Sequence, residues 1–158
     1  MFREVRRKKN EISIEAAKQL LEAERRGVLA VNGDEGYPYA IPVNYLYCRQ
    51  EEKIYFHGSR TGHKVDSILK NDKVCFTVFG NETVKEEQWA PYVQSAVVFG
   101  RCRLIRDQNA AVELVKNLAR KYFPEEALVE EEAAAYGNAV QMFEIEIEHI
   151  SGKEVHER

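Results

Sequence analysis

Apolar residues recur along this chain with two periods, one close to 3.6 and one close to 2, and the alternation between them outlines the elements. Behind Ser13, a residue suited to cap an N-terminus, Ile14, Ala17, Leu20 and Leu21 share one helical face, and Gly27 is placed to end the segment. Residues 28–31 then predict a strand, residues 32–36 a turn, and residues 37–47 a long extended segment that closes a hairpin. Pro38 and Pro42 each remove a backbone donor from that segment, so it is expected at an edge or with a bulge. A polar turn leads to a short strand over 54–57, and residues 58–62 break it. Val65, Ile68 and Leu69 give residues 63–71 a helical face, residues 74–79 read as a strand, and residues 81–92 as a loop carrying Trp89. A strand over 95–105 has Gly100 in its middle, a helix over 109–122 is closed by Pro124, and a last strand covers 140–150 with Phe143 out of register. Six strands at hairpin spacing, without a βαβ rhythm and without G-x-G-x-x-G, predict a mainly β fold: a closed or split antiparallel barrel with flanking helices.

At 158 residues the chain suits one domain over its whole length, and 44% hydrophobic with 31% charged residues is the composition of a globular protein. No apolar run approaches the roughly 20 residues that cross a bilayer, and the basic start, Arg3, Arg6, Arg7, Lys8 and Lys9, lacks a signal peptide's apolar core, so neither a membrane nor export is expected and the compartment is the cytoplasm. A net charge of −3 gives no overall attraction to nucleic acid, and the basic cluster reads as a solvated tail. Cys48, Cys75 and Cys102 are an odd number with no C-x-x-C pair, which argues against a disulfide framework and a cysteine zinc site. No histidine and carboxylate spacing suggests a metal, and none is expected.

The chemistry concentrates between Pro38 and Lys64. Gly58 and Gly62 permit backbone conformations that aim amides at one anion, the helix starting near His63 adds its positive end, and Ser59, Arg60, Thr61 and Lys64 supply hydroxyl and cationic donors. A flavin, a flat amphipathic ring on a phosphate-ended tail, needs such a cradle beside an apolar slot with edge donors and acceptors. Asn44 and the exposed strand backbone suit the ring edge, and Tyr45, Tyr55 or Phe56 suit either the ring face or an ordinary barrel core.

The ordered set Pro38, Tyr39, Ile41, Pro42, Val43, Asn44, Tyr45, then 54–58, then Gly62, His63, Lys64, Val65, Asp66, resembles the pyridoxamine 5'-phosphate oxidase-like flavin-binding split barrels, in the branch related to the Nim 5-nitroimidazole resistance proteins. Residues 95–101 and 148–153 extend the resemblance, which runs from near Arg3 to Lys153. It implies a six-stranded split barrel that dimerises with FMN along the subunit interface. Carried across residue by residue, Pro42, Val43, Asn44, Tyr45, Phe56, His57 and Gly58 line the ring, Ser59 and Lys64 meet the phosphate, and Ser95 approaches from the other subunit. His57 matches the Nim histidine near the reactive part of the flavin and is the one catalytic candidate; Gly58 departs from relatives that carry serine or cysteine there. The implied activity is a flavin-dependent oxidoreductase acting on a small acceptor, a nitroaromatic among them. A non-enzymatic flavin-binding or sensing module and a deazaflavin-dependent reductase are the alternatives. Pyridoxamine phosphate oxidation is disfavoured, because the C-terminal arginine and histidine cluster for a second phosphorylated substrate is missing.

Overall fold

The computed structural model describes residues 1–85 and 89–157. Six strands, β1 (Arg26–Asn32), β2 (Pro38–Cys48), β3 (Lys53–Gly58), β4 (Lys73–Thr83), β5 (Tyr92–Leu104) and β6 (Gln141–His156), close in the order β1-β2-β3-β6-β5-β4 with every pair antiparallel. Four helices flank them: α1 (Ile14–Ala23), α2 (His63–Lys70), α3 (Gln108–Tyr122) and α4 (Glu126–Tyr136). None of the described helices is long and apolar enough to cross a membrane.

Local chemistry sets the helix starts. The Ser13 hydroxyl accepts the Ala16 N–H at 3.1 Å, and the Asp107 carboxylate accepts the Ala110 N–H at 2.9 Å, each satisfying an amide that the first turn leaves open. Alternation along the strands then sends Leu29, Tyr45, Phe56, Phe76, Val98, Phe143 and Ile145 into the barrel, where α1 adds Leu20 and Leu21 and α2 adds Val65 and Ile68. A second, smaller core forms outside the barrel, with Tyr55 and Met142 packed on Ala111 and Leu118 of α3. This explains the apparent register fault near Phe143. Met142 and Phe143 point to opposite faces of β6, and both faces are apolar because each is covered.

Two strands outrun their sequence-based bounds. β4 continues through Thr83, which shortens the loop expected over 81–92, and residues 86–88 of that loop lie outside the described residues. β6 continues from 150 to His156, because Gly152 turns inward and lets Ile12 and Ala17 of the α1 region close on the backbone; a Cβ there would come within 2.7 Å of Ile12. The acidic stretch over 125–132 supplies the N-cap and first turns of α4, with Val129 and Ala133 buried.

β2 positions the site, because its partners change half-way. Residues 38–44 pair with β1, but the ladder to β3 begins only at Tyr45↔Phe56. Beyond that point β2 and β3 diverge. The Tyr45 N–H donates to the Tyr122 hydroxyl at 2.9 Å, and that hydroxyl donates in turn to the Arg25 carbonyl, so the Tyr45 main chain faces β1. By alternation, the main chain of Pro38, Ala40, Pro42 and Asn44 faces the open side. Both prolines therefore lack a donor where no strand could accept it, which is the edge position their sequence predicted.

At the irregularity between Phe99 and Gly100 in the β5/β6 pairing, a Cβ on Gly100 would lie 2.3 Å from the Glu146 carbonyl oxygen. Backbone cannot give way as a side chain can. Gly100→Ala is expected to destabilise the fold by about 1–3 kcal/mol through overpacking, read as a lower midpoint in chemical denaturation.

Candidate functional site

Where β2 and β3 part, the outward side chains of Arg26, Asn44 and His57 stand in a row across three neighbouring strands. Arg26 pairs with Asn44 in the β1/β2 register, and Asn44 lies one position beyond the last β2/β3 pair, opposite His57. These three residues floor a cavity of about 550 Å³. Its roof is α3 and α4, which contribute Val115, Leu118, Leu128, Val129 and Tyr136, with Phe123 from the link between them.

The roof is tied down at the C-terminal end of α3. Besides the Tyr122 bridge, Lys121 Nζ donates to the carbonyls of Glu24 (2.5 Å) and Tyr45 (3.1 Å) and lies 3.8 Å from the centre of the Tyr45 ring. Burial, reinforced by Arg25, pushes the Lys121 ammonium down to about 8.

On the barrel side of the same divide, Gly58 ends β3, and residues 59–62 lead into α2. Gly62 has φ 128°, a conformation that suits glycine and directs the chain into the first turn of α2. Lys64 in that turn folds back over the barrel end. Its Nζ lies 5.5 Å from the centre of the Phe56 ring and 5.2 Å from that of Phe143, two rings stacked on each other at 4.9 Å. A Cβ on Gly58 would meet this ammonium at 2.5 Å, so the glycine makes the room for it. No carboxylate pairs with Lys64 among the described residues. Burial accordingly lowers its affinity for a proton. Ser59 donates its hydroxyl to the Thr61 carbonyl, and Arg60 reaches across to the Asn138 carbonyl ahead of β6, which leaves Lys64 as the cation facing the turn.

The sequence-derived residues thus divide by location. Pro42 and Asn44 are exposed along the open half of β2, while Val43 packs against the core. The rings of Tyr45 and Phe56 are fully buried in the barrel, Tyr45 edge-on to Phe76 at 4.9 Å, and the Tyr45 main chain is engaged by Tyr122 and Lys121. Tyr55 is buried beneath α3 and donates its hydroxyl to Glu51. His57, Gly58, Ser59 and Lys64 come together at the end of β3. Ser95 does not join them: on β5 it lines a separate groove with Arg6, Val97, Ser151 and Lys153. His63 stacks on Tyr39 at 4.2 Å, at the N-terminus of α2.

The sequence reading missed Arg25, Arg26 and the α3/α4 roof. The available signal was the arginine pair directly ahead of Gly27, together with Tyr122, Phe123 and Pro124 at the end of the predicted helix.

Electrostatics separate the reactive groups from the inert ones. Burial first, and the Lys64 charge second, disfavour the imidazolium of His57 and lower its pKa from the ordinary histidine value. Cys102 is fully buried, and burial pushes its thiol up to about 12, which removes it as a nucleophile. Among the described residues, no group of three histidine, cysteine, aspartate or glutamate side chains comes together to hold a metal.

Comparison of the sequence with curated proteins gave no match. Solved structures that share the fold include a candidate 5-nitroimidazole antibiotic resistance protein from Bacteroides thetaiotaomicron (TM-score 0.76, 18% identity, 92% of this chain and 87% of that one). They also include a FAD-binding protein from Mesorhizobium loti (TM-score 0.64, 23% identity, 92% and 96%) and the flavocytochrome Anf3 from Azotobacter vinelandii (TM-score 0.74, 21% identity, 94% and 71%).

The coupling between His57 and Lys64 is directly measurable. Lys64→Gln removes a positive charge near the imidazole, so the His57 pKa, followed by proton NMR of its ring, is expected to rise; an unchanged value separates the two groups.

The sequence profile of the pyridoxamine 5'-phosphate oxidase family matches residues 13–154, nearly the whole barrel and the entire divide between β2 and β3, and the chain belongs to that family.

Proposed function

We propose that the chain binds FMN and works as a flavin-dependent oxidoreductase, passing reducing equivalents to a small acceptor of the nitroaromatic kind. The observation that carries this reading is Lys64: an ammonium held half-buried over two aromatic rings, without a carboxylate, beside a glycine-flanked turn and a helix N-terminus. Its desolvation is offset when an anion arrives, and a phosphate fits that place. With Arg60 engaged by the Asn138 carbonyl, the cradle suits one phosphate, which favours the mononucleotide. The relatives described as a FAD-binding protein and a flavocytochrome support a flavin, and the candidate nitroimidazole resistance protein supports the choice of acceptor.

In this arrangement the main chain of Ala40, Pro42 and Asn44 meets the polar edge of the ring, and Gly58 leaves space for the tail to pass to Ser59 and Lys64. When bound, the flavin supplies the electron transfer, which is why the site needs no triad or carboxylate pair. His57, on the floor of the cavity, orients the acceptor by hydrogen bonding, while the α3/α4 roof excludes water. Ser95 reaches a flavin only from a second copy of the chain. Phe79 and Phe99, both exposed on the same outer face of the sheet, give that copy an apolar surface to cover, and the working form is a homodimer.

The purified protein is expected to be yellow and to release FMN on denaturation. Lys64→Ala is expected to weaken FMN binding by about 1.5–3 kcal/mol, the size of a charged hydrogen bond, read by fluorescence titration; undiminished affinity removes Lys64 from the site. His57→Ala should retain FMN and slow acceptor reduction, and equal turnover in the two proteins would make His57 structural.

A further inference from the structure

The cavity beneath α3 and α4 is larger than its polar row requires, and its charge is one-sided. Arg25 and Arg26 both line it. Arg25 is held with its guanidinium 4.8 Å from the centre of the Tyr122 ring, and Arg26 stands in line with Asn44 and His57. Neither arginine pairs with a carboxylate among the described residues. Three other arginines differ: Arg49 is met by Glu15 and Glu22, Arg101 by Asp72 and Glu148, and Arg103 by Glu144 and Glu146. The lining holds one carboxylate, Glu132, on the α4 wall. The rest of the lining is largely apolar and partly aromatic, with Phe123 and Tyr136.

We propose that this cavity selects flat aromatic acids, with the carboxylate held at Arg26 and Arg25, the ring under α3 and α4, and the reducible end at His57. The distance between the two ends follows from the sheet. Arg26 and His57 sit two strand spacings apart, about 10 Å between backbones, and a substituted benzoate fills the interval left by their side chains. A guanidinium binds a carboxylate through paired N–H donors, and an apolar roof lowers the local dielectric, so the charge of the ligand discriminates more here than at an open surface. The placement of the reducible end rests on the flavin reading given above; the anion preference of the cavity does not.

Isothermal titration calorimetry of the flavin-loaded protein with 4-nitrobenzoate and with 4-nitrobenzamide, a neutral molecule of nearly the same shape, tests the proposal. The acid is expected to bind at least tenfold more tightly than the amide, and Arg26→Gln to remove most of that ratio, with Arg25→Gln lowering it less. Equal binding of acid and amide overturns the proposal, as does a ratio that survives in a folded Arg26→Gln protein. Reduction of the same pair by protein whose flavin has been photoreduced under anaerobic conditions, so that the reduced flavin supplies the electrons, separates this from the redox reading. Tight, charge-selective binding without reduction keeps the aromatic-acid site and removes the reductase. Reduction of both compounds without preference keeps the reductase and removes the aromatic-acid site.

Discussion

Half-way along β2 the backbone loses one of its two neighbours, and the rest of the site follows from that loss. Residues 38–44 remain paired with β1, yet no strand among the described residues meets their other side. A strand edge inside a barrel would ordinarily invite a wrong partner. Here Pro38 and Pro42 remove two donors from the exposed row, so Ala40 and Asn44 keep the only N–H groups facing the gap between 38 and 44. The opening is consequently selective: a strand cannot zip onto it, whereas a planar heterocycle that needs a few main-chain contacts can.

The same divergence creates both electrostatic features of the site. Because β3 leaves β2 after Phe56, Gly58 and the turn into α2 fold back over the barrel end and bring Lys64 above the Phe56 and Phe143 rings. On the outer side, Arg26, Asn44 and His57 are left uncovered by any strand, and α3 and α4 close over them. Lys64 and His57 are thus on opposite sides of one short strand end. The Lys64 charge adds to burial in disfavouring the imidazolium of His57, and burial alone disfavours the Lys64 ammonium.

Much of this was legible in the sequence, and the parts that were not have a common cause. The prolines of β2, the glycines around 58–62 and the Ser13 cap act locally, through φ or a single hydrogen bond, so their meaning survives without coordinates. Features set by what packs from afar did not. Tyr45 and Phe56 could serve a ligand or the core equally well by composition, and only barrel closure puts both rings inside. Gly152 breaks the alternation of β6 because α1 lies against it, and Met142 beside Phe143 makes sense only once α3 covers the outer face. Arg26 becomes a site residue through its cross-strand pairing with Asn44, a relation that depends on register. Ser95, in turn, lines a groove apart from Lys64, a separation that only the closed sheet reveals.

The account stands or falls on whether the open half of β2 takes the flavin. Amide hydrogen exchange, resolved at Ala40 and Asn44 and measured with and without FMN, addresses this most directly. Both amides are expected to slow at least tenfold on binding, together with those of Ser59 and Lys64, while Phe76 in the closed wall of the barrel does not change. Flavin that binds while Ala40 and Asn44 exchange at their former rates would place the ligand elsewhere and contradict it.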